Sequence, residues 1–222
     1  MASQAVVTLR SQERMLKTLA LAAIFVVGAW FVATNVFHYY LHYTPVVFRQ
    51  WWPWARRFGL LLHITGGMVA LLIGPWQFSQ RLRQWNIRLH RWLGRTYLIA
   101  ILAGAAGALY LAATTPFGWG WGIALGTLAL AWLTTSGMAF YAIKNRMVQI
   151  HREWMIRSYV VTFGFVTFRI LGDIGVIARL GPPMENAIAR VWVAWTMPLL
   201  AAEVIMQLMR MRTEMAARAR RA

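Results

Sequence analysis

Residues 93–113 read LGRTYLIAILAGAAGALYLAA and carry one charged side chain, Arg95, near their start. A run of about 20 apolar residues is long enough to cross the hydrocarbon core of a bilayer as an α-helix. The pattern predicts an all-α integral membrane bundle of six transmembrane helices, with residues 1–222 forming a single membrane domain. The other five apolar stretches lie near Leu16–Phe37, Phe58–Phe78, Trp119–Ile143, Met155–Ala178 and Ile188–Met209.

The composition of the chain agrees with a membrane environment. Hydrophobic residues make up 59% of the 222 residues and charged residues 13%, which is too few to build a water-soluble surface. The chain has no cysteine, which excludes disulfides, thiolate catalysis and cysteine-ligated metal sites. The net charge of +17 is expected to face anionic lipid headgroups, so it does not indicate a nucleic-acid partner.

Basic residues are concentrated at every second junction between the apolar stretches. Seventeen of the 23 Lys and Arg residues lie at these junctions and at the two termini, whereas the opposite junctions hold five. The positive-inside rule therefore predicts that both termini face the cytoplasm, as in a multi-pass protein of the bacterial inner membrane. The segment at residues 43–57, rich in Trp, Pro and Arg, is too short to span and is predicted to lie in the outer interface.

Three glycines recur every fourth residue at the start of the fourth span. Gly118, Gly122 and Gly126 would form a flat stripe that allows another helix backbone to approach closely. Two interpretations remain open for this stripe: it packs against a helix of the same chain, or it contacts a partner membrane protein.

Few ionisable residues lie within the apolar stretches, and each needs a partner or a polar cavity. In the fifth span, Arg169 and Asp173 share one helix face and are expected to neutralise each other, at a depth similar to that of His63. Glu203 lies near the cytoplasmic end of the sixth span, at the level of Arg157. These groups predict either structural salt-bridge clusters or a polar cavity at each face.

Two histidines open parallel spans and should lie at one depth. His90 begins the third span and His151 precedes the fifth, so their imidazoles could flank a six-coordinate haem b iron. Gly94, one turn after His90, would leave room for the porphyrin. Nearby arginines that could pair with the haem propionates are Arg91, Arg95, Arg152 and Arg157. Contact with lipid phosphate or loop carbonyls is the alternative, and zinc or copper would require further ligands.

The remaining histidines belong to the opposite side of the membrane. His63 could hold a second haem together with His38 or His42, but it should lie roughly 25 Å from His90 and His151, given a core of about 30 Å.

Four motifs resemble those of a bacterial family of predicted membrane proteins, domain of unknown function 2306. They are His63-Ile-Thr-Gly-Gly with Gly74-Pro-Trp-Gln-Phe, Leu89-His-Arg-Trp-Leu-Gly-Arg-Thr-Tyr97, Trp132-Leu-Thr-Thr, and His151-Arg-Glu-Trp-Met-Ile-Arg-Ser-Tyr159 with Arg169. The likeness covers about residues 58–175 and supports a bundle of membrane helices, but it implies no activity. The positions that match its motifs are His63, His90, Arg91, Gly94, Arg95, His151, Trp154, Met155, Arg157 and Arg169.

Three functions therefore compete. The first is a haem-binding membrane redox protein that transfers electrons, with a quinone as a candidate redox partner. The second is a non-catalytic accessory or scaffold subunit of a larger membrane complex. The third is a small proton-linked transporter that uses Arg169, Asp173, His63 and Glu203. No nucleophile elbow or phosphate-binding loop is present, so the sequence gives no indication of hydrolase or nucleotide chemistry.

Overall fold

The computed structural model describes residues 2–37 and 54–219, and all the regular structure in these ranges is helical. Six of the described helices, counting Val148–Asp173 as one, are long and apolar enough to cross a membrane. This confirms the predicted all-α membrane fold. The helices are α1 (Ala2–Phe31, continued by a π-helical turn, Val32–Val36), α2 (Trp54–Gln77), α3 (Gln80–Trp85), α4 (Ile87–Ala113), α5 (Trp119–Lys144), α6 (Val148–Thr162), α7 (Gly164–Asp173), α8 (Gly175–Ala178) and α9 (Pro183–Ala219).

Several helices begin before the apolar stretches that predicted them. Helix α4 begins at Ile87, six residues early, because the Asn86 side chain caps it by accepting a hydrogen bond from the Leu89 backbone N–H at 2.9 Å. Helix α6 begins at Val148, seven residues early. Both first turns are rich in His and Arg, so their hydropathy is low although their backbone is helical.

The predicted interfacial segment and the sixth span also have different bounds. Helix α2 begins at Trp54, so the last four residues of the segment 43–57 are helical, and residues 43–53 lie outside the described ranges. Helix α9 begins five residues before the predicted sixth span and ends ten residues after it. Its basic end therefore continues the helix beyond the predicted span.

The fifth span is interrupted rather than continuous to Ala178. At Phe163 the backbone N–H lies 3.0 Å from the Tyr159 carbonyl and 3.2 Å from the Val160 carbonyl, a bifurcated geometry that ends α6. Helix α7 then ends at Asp173, and an extended Ile174 separates it from the short α8.

Helices α2 and α4 cross with their backbones in direct contact. A Cβ added at Gly66 would collide with the carbonyl oxygen of Ala100 and with Gly104, and one at Gly107 would collide with the carbonyl oxygen of Gly59. Only glycine fits at such a crossing, where close approach increases the van der Waals contact between helices. We call these four glycines the α2–α4 glycine contact.

Hydroxyl groups join α4, α5 and α6 in the middle of the bundle. The fully buried Tyr97 hydroxyl lies 2.9 Å from Ser158 Oγ and 3.2 Å from Thr162 Oγ1. Ser136 Oγ is 2.8 Å from Ser158 Oγ, and the indole N–H of Trp132 donates to Thr162 Oγ1 at 2.8 Å. This hydroxyl cluster, made of Tyr97, Ser136, Ser158 and Thr162, fixes the register of the three helices.

The glycine stripe at the start of α5 packs mainly inside the chain. A Cβ on Gly122 would lie 2.7 Å from the Ala112 carbonyl oxygen, and one on Gly126 would lie 3.7 Å from the Ala112 Cβ. Gly118 precedes the helix with a φ of 89° and faces open space. Of the two interpretations, internal packing therefore describes Gly122 and Gly126.

Candidate functional site

The hydroxyl cluster sets His90 and His151 at the same level. Tyr97 follows His90 by seven residues, Ser158 follows His151 by seven residues, and the side chains of Tyr97 and Ser158 are hydrogen-bonded. Because seven residues make almost two helical turns, each histidine lies about 10 Å below the bond on the same helix face. We call this region, defined by His90 and His151, the histidine end.

One imidazole of the pair already has the arrangement typical of a metal ligand. His151 Nδ1 lies 2.8 Å from the carbonyl oxygen of Ala139 in α5. A carbonyl oxygen can only accept a hydrogen bond, so in the neutral ring Nδ1 carries the proton and Nε2 has the free lone pair. Histidines that bind metals commonly donate their other ring N–H to a carbonyl in this way, which fixes the tautomer and the ring orientation.

The other imidazole, that of His90, lacks a hydrogen-bond partner for one of its ring nitrogens among the described residues. His90 Nδ1 is buried and has no hydrogen-bond partner among the described residues, and the same is true of Gln77 Nε2. A Cβ at Gly94 would lie 3.2 Å from Gln77 Oε1. The space beside Gly94 that the sequence assigned to a porphyrin therefore holds the Gln77 side chain, because the end of α2 packs against α4 there.

Arg157 is paired with a carboxylate in this structure. Its Nε and Nη2 donate to Glu203 Oε2 at 2.9 and 2.6 Å, and its guanidinium stacks on Trp154 at 4.7 Å. The expected common level of Arg157 and Glu203 is therefore present, but Arg157 is not free to pair with a propionate. A second ion pair, Arg210 with Glu153 at 2.8 Å, joins α9 to α6 nearby.

Three other predicted propionate partners remain accessible. Arg91 and Arg95 are exposed on the first turns of α4, and neither forms an ion pair within the described parts of the chain. Arg152 is exposed on α6, one residue after His151.

His63 lies in the other half of the bundle. Its Nδ1 is 3.0 Å from the carbonyl oxygen of Gly104, which follows His90 by 14 residues on α4. At 1.5 Å per residue the two levels are about 21 Å apart, so the depth argument against pairing His63 with His90 agrees with the structure. The His63 ring contacts Trp132 and Phe165 edge to face, with centroids 6.3 and 5.6 Å away.

A cavity of about 360 Å³ opens beside His63. Its walls come from α1 with its π-helical turn and from α2, α4, α5, α6 and α7, and they are mostly apolar and aromatic. Arg169 and Thr162 are among its few polar lining residues. We call the region around this cavity the cavity half.

Arg169 and Asp173 do not neutralise each other as expected. Both side chains are exposed, and no ion pair joins them in the structure of the described residues. Asp173 is the last residue of α7, where the backbone leaves the helix. In addition, a basic residue four positions before an acidic one is the weaker of the two helix orders. His38 and His42, the proposed partners of His63, lie outside the described residues.

Within residues 2–37 and 54–219, no group of three or more His, Cys, Asp or Glu side chains is placed to hold a metal ion. The extra ligands that zinc or copper would need at His90 and His151 are thus not supplied by the described residues.

A sequence profile of the family described as "Predicted membrane protein (DUF2306)" matches residues 60–206, about two thirds of the chain. The chain belongs to this family. The matched region contains His63, His90, His151, the Arg157–Glu203 pair and most of the residues that line the cavity, but not those of α1 and its π-helical turn. The match confirms the resemblance seen in the motifs. Searches among curated proteins and among solved structures each found no significant match.

Sequence reasoning missed three features of this arrangement: the side chain of Gln77, the Glu153–Arg210 pair, and the mostly apolar lining of the cavity, which was expected only as a polar one. Gln77 ends a helix whose apolar stretch gave no hint of a polar contact, and Arg210 lay beyond the predicted end of its span. The cavity depends on six packed elements, and no local pattern encodes it.

Proposed function

We propose that this DUF2306 protein is a haem-binding electron-transfer protein of the bacterial inner membrane, with both termini in the cytoplasm. The single observation that carries this proposal is the register of α4 and α6, which brings His90 and His151 to one level and one face through the Tyr97–Ser158 hydrogen bond. A b-type haem needs two such imidazoles and no further protein ligand.

The surroundings of the two rings support a haem more than a bare metal ion. His151 presents Nε2 because Ala139 holds its Nδ1, and His90 has a buried ring nitrogen without a partner among the described residues. His90 and His151 would hold a haem through these two nitrogens, and the bound haem would supply one-electron chemistry. For the porphyrin to enter, the Gln77 side chain, whose Nε2 has no hydrogen-bond partner among the described residues, must turn away from Gly94.

Cations around the pair suit the haem propionates. Arg91 and Arg95 lie on the first turns of α4 and are exposed, and Arg152 lies next to His151. Guanidinium groups bind carboxylates through two parallel hydrogen bonds, so these arginines would hold propionates at the surface of the bundle. Arg157 instead keeps α6 attached to α9 through Glu203.

The two other hypotheses have less support. One of the features that suggested a scaffold role, beside the Trp-rich outer segment and the basic tails, was the glycine stripe, but Gly122 and Gly126 are covered by Ala112 of the same chain. The proton-linked transporter would use Arg169, Asp173, His63 and Glu203. Arg169 and Asp173 form no ion pair with each other, and Glu203 is paired with Arg157.

Absorption spectroscopy tests the proposal directly. Protein purified from cells supplied with haem precursors should be coloured, and on reduction it should show a sharpened Soret band and a distinct α band. The variants His90→Ala and His151→Ala should each lose most of this absorbance, because a six-coordinate iron loses one axial ligand in each.

His63→Ala is the matched control, since it also removes a half-buried imidazole but lies about 21 Å from the pair. It should retain the spectrum. Colourless wild-type protein from haem-replete cells would overturn the proposal, and so would a spectrum that depends on His63 but not on His90 or His151. Gel filtration of each variant separates loss of haem from loss of fold.

A further inference from the structure

We propose that the cavity half binds a membrane-soluble phenol, the chemical class to which lipid quinols belong, with its hydroxyl on His63 and its ring among the aromatic side chains of the cavity. This site is independent of any haem at the histidine end, because its residues lie on a different level of the bundle.

The first argument is Gly67. This glycine lies inside helix α2, one turn after His63, and it lines the cavity. A Cβ added to Gly67 would meet no atom within 4 Å, in contrast to its neighbour Gly66, which is packed against α4. Glycine inside a helix costs about 1 kcal/mol relative to alanine. Close helix packing therefore explains Gly66, whereas Gly67 keeps a space open.

The second argument is the hydrogen-bonding state of His63. The Gly104 carbonyl accepts from Nδ1–H, so the neutral ring has a lone pair on Nε2. The edge-to-face contacts with Trp132 and Phe165 hold the ring in this orientation. A lone pair beside an apolar cavity favours a ligand that donates a hydrogen bond, as a phenolic hydroxyl does.

The third argument is the composition and size of the space. A cavity of about 360 Å³ falls within the range of about 300–1,000 Å³ that is usual for small-molecule sites, which are mostly apolar with a few polar groups. Trp121, Phe165 and Phe168 offer ring surfaces to an aromatic head, and Arg169 can donate to a second oxygen of the ligand. Such a ligand would dissolve in the bilayer and reach the site from there.

Binding of 4-decylphenol tests the proposal, with its methyl ether as the matched ligand that lacks the hydroxyl proton. Both are titrated into purified wild-type protein, and quenching of tryptophan fluorescence is followed because Trp121 and Trp132 line the cavity. The phenol should bind about fivefold more tightly than the ether, the effect of one hydrogen bond. In His63→Phe the affinities for the phenol and for the ether should be about equal.

Two glycine variants test the position of the site. Gly67→Leu should weaken binding of both ligands at least tenfold, because its side chain fills the cavity. Gly137→Leu is the matched control: Gly137 lies inside α5, its added Cβ would also meet nothing within 4 Å, and it does not line the cavity. It should bind the phenol like the wild type.

Equal affinity of the wild-type protein for phenol and ether would overturn the proposal, because the cavity would then bind its ligand through apolar contacts alone, without a hydrogen bond to His63. Undiminished binding to Gly67→Leu would overturn it as well. If Gly67→Leu does not give a monodisperse protein, the comparison of phenol with ether in the wild type and in His63→Phe still decides the outcome.

Discussion

The histidine end and the cavity half are stabilised in different ways. At the histidine end, Arg157 and Arg210 pair with Glu203 and Glu153, and these ion pairs join α9 to α6. The cavity half has cations too, but Arg190 stacks on Phe168 and donates to Asn186 instead of meeting a carboxylate. There the α2–α4 glycine contact, made by uncharged backbone, supplies the closest packing.

This difference indicates which changes each region tolerates. Ion pairs that are partly exposed contribute little, so their loss should be modest. Backbone contact at a glycine has no flexible atom that can yield, so an added side chain must separate the helices. The predictions below sharpen this contrast, beginning with the change expected to have the largest effect.

Two adjacent glycines of α2 should respond in opposite ways to the same substitution. Gly66→Leu should destabilise the protein by about 3 kcal/mol or more, because the new side chain collides with Ala100 and Gly104. Gly67→Leu should be tolerated, because its side chain enters the cavity. The fraction of monodisperse protein that remains after heating in detergent measures both. Similar behaviour of the two variants would contradict the close α2–α4 crossing.

Tyr97→Phe should have an intermediate effect. It removes the hydroxyl that links α4 to Ser158 and Thr162 in the buried centre, at a cost of about 1–2 kcal/mol. Thermal unfolding followed by tryptophan fluorescence would show it as a lower midpoint. Tyr141→Phe, at an exposed position of α5, is the control and should melt like the wild type. A wild-type midpoint for Tyr97→Phe would show that the hydroxyl cluster does not hold the register.

Glu203→Gln should destabilise the protein by less, about 0.5–1 kcal/mol, since the carboxylate that Arg157 loses is itself partly exposed. The difference from the wild type should shrink as salt is added, because ions screen the pair. Glu214→Gln changes the same residue type on the exposed end of α9 and serves as the control. A loss that is independent of salt would mean that Glu203 acts by packing instead of charge.

Labelling of single introduced cysteines should establish the orientation of the protein in the membrane. The substitutions themselves should not measurably change its stability. The chain has no cysteine, so Phe117→Cys and Thr213→Cys each introduce one exposed thiol, at opposite ends of the bundle. A membrane-impermeant maleimide should label position 117 in spheroplasts and position 213 only after lysis. The reverse result would invert the proposed topology and the sides of both regions.

Much of the fold could be predicted from hydropathy, because lipid requires about 20 apolar residues per span. The helical repeat is also informative, since it puts Tyr97 on the same face as His90, and Ser158 and Thr162 on the same face as His151. The structure joins these faces by hydrogen bonds. The positions of the helix starts were wrong where His and Arg lower the hydropathy of a first turn, although Asn86 is a recognisable capping residue.

The candidate sites were less predictable for a physical reason. Periodicity gives the face of a residue along its own helix, but it does not say which neighbour fills the adjacent space. Gly94 illustrates this limit, since Gln77 of another helix lies against it. The open space at Gly67 and the packed space at Gly66 are likewise indistinguishable in the sequence. Only the packed bundle separates them.

Helix α9 has a practical consequence for handling the protein. Its 37 residues extend about 55 Å, whereas the hydrocarbon core needs about 30 Å. After Arg210, which is paired with Glu153, its last nine described residues are exposed and form a rod about 14 Å long. An affinity tag or fluorescent reporter joined beyond this rod would stand clear of both candidate binding regions, so purification and imaging fusions belong at the carboxyl terminus.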